Sequence, residues 1–95
     1  MAAYVIANVD VKDPALFEQY RKQVPKTLAR HGGKYLVRGG QHDTLEGGWM
    51  PSRLVVLEFP TIDQGRRWYD CEEYREPKAL RMKSALTDLV IVEGV

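Results

Sequence analysis

Ninety-five residues, 44% of them apolar, are enough for one domain over residues 1–95 with a small core. Fourteen Lys and Arg against thirteen Asp and Glu leave a net charge of +1, which is no footprint for nucleic acid or for an anionic membrane. The single cysteine, Cys71, excludes an internal disulfide and a cysteine-based metal cage, and it fits a reducing compartment.

Met1 to Val9 is mildly apolar but has no basic leading region, and Asp10 and Lys12 cut it short, so it does not read as a signal peptide. No window approaches the roughly 18 apolar residues of a membrane span, and the expectation is a soluble, cytoplasmic protein. Ala3 to Val11 alternates as a strand, with Val5, Ala7, Val9 and Val11 on one face and Tyr4, Ile6, Asn8 and Asp10 on the other. Asp13-Pro14 is a helix start, a capping carboxylate followed by proline at the first helical position. Phe17, Tyr20, Val24, Leu28 and His31 then recur as one helical stripe that Gly32-Gly33 ends. Pro25 inside it is expected to kink the helix or restart it.

Lys34 to Arg38 reads as a second strand, with Tyr35 and Val37 on one face and Leu36 and Arg38 on the other. Gln41 to Ser52 is a polar, glycine-containing loop near the length at which loops usually bind or contact something. Arg53 to Phe59 is apolar on both faces, as a central strand should be. Ile62 to Asp70 reads as a helix capped by Thr61, with Trp68 or Tyr69 turned inward. Cys71 to Ala85 reads as a second helical piece, with Pro77 tolerated near its start. Leu89 to Val95 is the last strand. The order β-α-β-β-α-β is the ferredoxin-like arrangement, an α+β fold with four antiparallel strands in the order 4-1-3-2 and helices on one face. The bare face would carry Tyr4, Ile6, Leu36, Leu54, Val56, Leu89 and Ile91. Soluble monomers seldom expose such a patch, so a sheet-on-sheet homodimer is expected.

A resemblance runs through the same residues. Asp10-Val11, Asp13, Tyr20, Gly32-Gly33, Arg38-Gly39-Gly40, Glu46-Gly47, Pro51, Arg53, Val55, Glu58-Phe59-Pro60, Trp68-Tyr69, Tyr74, Arg81 and Glu93-Gly94 occur in an order similar to that of the small bacterial domain-of-unknown-function family thirteen-thirty, within the dimeric α/β-barrel superfamily. The resemblance covers essentially the whole chain and implies a ferredoxin-like fold and a homodimer. It implies no reaction. Cys71 departs from it, standing where the family usually carries serine.

The polar groups of the bare face gather near strand ends. Asn8, Asp10 and Arg38 would share one sheet edge, with Asp10 and Arg38 roughly 9–10 Å apart across an intervening strand. An acid and a guanidinium at that spacing can hold a small organic anion, with Asn8 in support and Asp10 as proton acceptor if low polarity raises its pKa. His42, in the long loop, is a second candidate base. Trp49 in the same loop suggests a lid over Arg38 or a contact with a partner. At the opposite edge, Lys34 and Glu58 read as a cross-strand pair that sets register. Two histidines without a neighbouring second ligand give no zinc site, and neither His31 nor His42 is placed for haem. The expected function is therefore cofactor-free binding or conversion of a small, anionic organic molecule. The competing expectation is a non-catalytic dimeric module whose polar rim is structural.

Overall fold

In the structure, a computed structural model describing residues 1–95, four strands form one antiparallel sheet: β1 (Ala3–Val11), β2 (Lys34–Arg38), β3 (Leu54–Phe59) and β4 (Ala85–Glu93). Their spatial order is β2-β3-β1-β4, the expected 4-1-3-2. Helices α1 (Pro14–Ala29), α2 (Ile62–Asp70) and α3 (Glu72–Ser84) cover one face. The result is a slab measuring 35 × 34 × 17 Å, two layers thick, with one side of the sheet bare.

Local chemistry sets most of these boundaries. Asp13 caps α1 by accepting from the Leu16 N–H at 3.1 Å, and Thr61 caps α2 by accepting from the Gln64 N–H at 3.1 Å. Between α2 and α3 the chain becomes extended at Cys71 and then starts a new helix. Along β1, Ala3, Val5, Ala7 and Val9 are buried under the helices, and the residues between them face the other way. Trp68 centres the core. It lies 4.1 Å from the Tyr74 ring and 5.5 Å from the Phe59 ring, and its indole N–H donates to Thr27 Oγ1 at 2.9 Å. The Thr27 hydroxyl in turn donates to the Val24 carbonyl at 2.7 Å, so the one polar group of the tryptophan is satisfied inside.

Four details differ from the sequence expectation. First, α1 continues through Pro25 rather than restarting as a second helix, because Phe17 and Val24 on one side and Thr27 and Leu28 on the other bury the same stripe. Second, Pro77 lies in the second turn of α3, buried, rather than near its start.

Third, β4 begins at Ala85 instead of Leu89, and its faces are the reverse of those expected. The pairings Ile6↔Val90 and Tyr4↔Val92 put the two valines on the bare face, while Leu89 and Ile91 pack into the core cluster around Trp68. Alternation gives two faces without saying which is wet.

The fourth difference decides the site. The β2–β3 register pairs Tyr35 with Leu57 and Arg38 with Val55, and it shifts between Tyr35 and Val37. Leu36 is the extra residue of a bulge, so Tyr35 and Arg38, three apart, share a face. That face is the helix side.

Candidate functional site: an arginine–tyrosine chamber

The bulge carries Arg38 through the sheet into the cleft between sheet and helices, where its guanidinium lies 4.7 Å from the centre of the Tyr35 ring. Arg53 reaches the same cleft from the start of β3, with its guanidinium 5.8 Å from the centre of the Phe17 ring. It passes under Gly39, whose φ of +72° favours glycine and where a Cβ would stand 2.7 Å from Arg53 Cζ. Arg21 enters from α1 and Arg81 from α3. Together with Tyr20, Tyr35 and Tyr74 they line a chamber whose free space is about 40 Å³, room for two or three waters.

The polar accounts of this chamber do not close. Arg21 is held by Glu18, with Nε–Oε2 at 3.3 Å in an ion pair bent too far to count as a hydrogen bond at that nitrogen. Arg38, Arg53 and Arg81 take part in no ion pair, and no carboxylate lines the chamber. The Nε atoms of Arg53 and Arg81 are buried without a hydrogen-bond partner. Arg81 as a whole is only 5% exposed. Arginine is almost never buried to that degree without a counter-charge.

The tyrosines beside it are donors. Tyr20 and Tyr74 hold their hydroxyl oxygens 2.9 Å apart. Burial, reinforced by Tyr74, pushes the Tyr20 hydroxyl far above the ordinary tyrosine range. Burial also raises Tyr35, with the nearby Arg38 pulling the other way. Both therefore stay protonated at neutral pH. For Arg81, burial works against the cation, but the oxygens of Tyr74 and Tyr20 outweigh it and the pKa moves up. The chamber thus offers a fixed positive charge and neutral O–H donors, which is the chemistry that holds a carboxylate, enolate or phenolate.

A second space adjoins the first. Between α2, α3 and β4 lies an open groove of about 510 Å³, whose wall includes Tyr69, Met82, Thr87 and Ile91. Val5, Arg81 and Leu89 line both spaces.

The other residues singled out by sequence do not assemble with Arg38. Asn8 and Asp10 lie on the bare face, with the sheet between them and the guanidinium, so the expected acid–arginine pair across one face does not form. Asn8 Oδ1 accepts from the Ser52 and Arg53 N–H groups at 2.8 and 3.2 Å, which fastens the return of the loop into β3. Asp10 pairs with Lys12 at 2.9 Å, both largely exposed. The ring nitrogens of His42 face the Pro51 carbonyl at 2.8 Å and the Gly40 carbonyl at 3.3 Å, so this side chain ties the two ends of the loop together outside the chamber. Trp49 is 62% exposed and does not close over Arg38. Lys34 and Glu58 do pair, at 3.2 Å. Sequence reasoning assigned no site role to Tyr20, Tyr35, Arg53, Tyr74 or Arg81. One signal was available: Tyr74 and Arg81 are two helical turns apart and share a face of α3.

A ferredoxin-like sheet with a polar chamber under its helices defines the class of this molecule. The chain matches the family described as Domain of unknown function (DUF1330) over residues 2–95, and it belongs to that family. No curated protein matches it. Several solved structures are similar in fold. The RPA0582 protein of unknown function from Rhodopseudomonas palustris superposes with a TM-score of 0.79 at 16% identity, covering 99% of this chain and 82% of the other. SnoaB, a cofactor-independent oxygenase from Streptomyces nogalater, gives 0.68 at 12% identity over 99% and 93%. A dimeric ferredoxin-like protein of unknown function from Thermobifida fusca gives 0.63 at 18% identity over 99% and 92%.

Proposed function

We propose that the chain folds as one unit, pairs with a second copy through its bare sheet face, and binds a small organic anion without a cofactor in the arginine–tyrosine chamber. The observation that carries the binding is Arg81. An arginine only 5% exposed, with an unpartnered Nε and no carboxylate within ion-pair distance, is a charge awaiting its counter-ion. Arg38 and Arg53 add to the positive potential at the β2 side, and the Tyr20–Tyr74 hydroxyl pair leaves one O–H free to donate. The chamber wall holds no Asp, Glu, His or Cys that could take a proton, so the reading is retention of an anion rather than general-base chemistry. SnoaB shares the fold and is described as a cofactor-independent oxygenase, and the same donors would steady an enolate or phenolate in such a reaction.

Pairing follows from the bare face. Tyr4, Ile6, Leu54 and Val56 are half-buried there, and Val37, Val90 and Val92 are exposed by 39, 58 and 47%. A similar solved structure is described as dimeric. The location read from sequence, cytoplasmic, rests on the free thiol of Cys71, and no helix is long and apolar enough to cross a membrane.

Calorimetric titration with benzoate and with its neutral amide tests the anion site. Benzoate should bind saturably and benzamide should not. Arg81→Met, close in volume, should weaken benzoate at least tenfold, the lower end expected for a charge-assisted hydrogen bond of about 1.5–3 kcal/mol. Equal binding of acid and amide, or an Arg81→Met variant that binds benzoate as the parent does, contradicts the reading.

A further inference from the structure

We infer that the ligand has two parts: an anionic head that sits in the chamber against Arg81, and a bulky apolar body that lies in the groove beside β4. The inference rests on the anion reading above and adds the shape and class of the ligand. The chamber alone, about 40 Å³, has room for little more than a carboxylate group, since small-molecule sites run to roughly 300–1,000 Å³. The adjoining groove, about 510 Å³, falls within that range. Val5, Arg81 and Leu89 line both spaces, so the roomy side of the guanidinium is the groove.

The walls of the groove specify the body. Leu89, Ile91, Tyr69 and Met82 present apolar surface. Gly65 brings α2 close to the sheet, because a Cβ there would lie 2.6 Å from Ile91 Cδ1 and 3.2 Å from Phe59. Thr87 lines the same groove from β4, with its hydroxyl turned into the protein and buried. At the rim, Arg66 is turned to Asp63 at 3.9 Å, and Asp70 adds a negative charge. The charges of Arg66 and Asp70 offset each other at that rim, whereas Arg81 is buried without an ion pair, so the anionic head goes to Arg81.

Titration of the parent protein with acetate, decanoate and 2-naphthoate tests this, together with Thr87→Phe, which fills the groove. Decanoate and 2-naphthoate should bind at least a hundredfold tighter than acetate. Thr87→Phe should remove that gain and leave acetate binding unchanged. Should Thr87→Phe not fold, Met82→Trp at the groove wall gives the same comparison. Acetate binding with no gain from the larger bodies, or a gain that survives both groove-filling variants, overturns this inference and leaves the anion site standing. Failure of every acid, acetate included, overturns both.

Discussion

Val90→Asp separates the two faces of the sheet in one experiment. Val90 sits opposite Ile6 on the bare face and is 58% exposed in the single chain. An isolated chain therefore loses little from the change, at most about 1 kcal/mol of strand preference. In a sheet-on-sheet pair the same position is covered. Removing the valine then forfeits part of its burial, about 1 kcal/mol of the 1.5–3 kcal/mol of full burial. The new carboxylate is buried without a partner at a further cost of about 3 kcal/mol. Asp88, two residues away on the same face, adds like-charge repulsion. The total is about 4 kcal/mol per copy, and even half of it, counted in both copies of a symmetric pair, weakens association roughly a thousandfold. Sedimentation equilibrium over a concentration series should show a dimer for the parent and a folded monomer for Val90→Asp, with thermal unfolding confirming that the variant folds. A parent chain that sediments as a monomer at tens of micromolar refutes the reasoning, as does a variant that dimerises as tightly as the parent.

Other outcomes follow from the buried polar groups. Thr27→Val leaves the Trp68 indole N–H without its acceptor and should cost about 1–3 kcal/mol, each kcal/mol lowering Tm by about 4–8 °C, whereas Thr27→Ser should recover most of the loss. Tyr20 has a folded-state pKa raised by burial, so its contribution is intact below the unfolded tyrosine pKa of about 10 and is lost as pH rises above it. Denaturant titrations from pH 9 to 11.5 should show stability falling with a slope that grows through pH 10 and approaches about 1.4 kcal/mol per pH unit above pH 11 for that one proton, and Tyr20→Phe should lack this component. Arg38 is exposed on its outer side and unpaired, so Arg38→Ala should weaken anion binding several-fold with melting almost unchanged. Asp10→Asn and His42→Ala should alter neither, since both side chains lie outside the chamber, and titration of these variants with benzoate checks this.

Much of the architecture could be read from local pattern. The alternation of Ala3 to Val11, the Asp13 and Thr61 caps and the stripe from Phe17 to Leu28 each concern neighbours in sequence, and each forms as its pattern implies. What could not be read is set by partners far along the chain. Whether Leu89 or Val90 faces the helices depends on the register with β1, and a strand apolar on both faces carries no hint of it. The placement of Arg38 turns on a bulge at Leu36, and one inserted residue leaves no compositional mark in a five-residue strand. Asn8 and Asp10, read correctly as bare-face residues, were for that reason separated from the arginine they were expected to oppose. Trp49 looked like a lid because its loop is long and rich in glycine, yet the loop is closed at its base by His42 and leaves the ring in solvent. Arg81 was the least visible of all. On the sequence it is one more basic residue near a helix C-terminus, where such residues are common, and only the third dimension shows that it points inward with nothing to neutralise it.

The central claim is that Arg81 holds the charge of an organic anion, and anomalous diffraction from crystals soaked with 4-bromobenzoate tests it most directly. The account predicts the carboxylate within hydrogen-bonding distance of the Arg81 guanidinium, about 3 Å, beside the Tyr20 and Tyr74 hydroxyls, with the bromine peak in the groove toward Ile91 and Met82. A bromine peak on the bare face of the sheet, or a carboxylate bound elsewhere while Arg81 stays unpartnered, would contradict it.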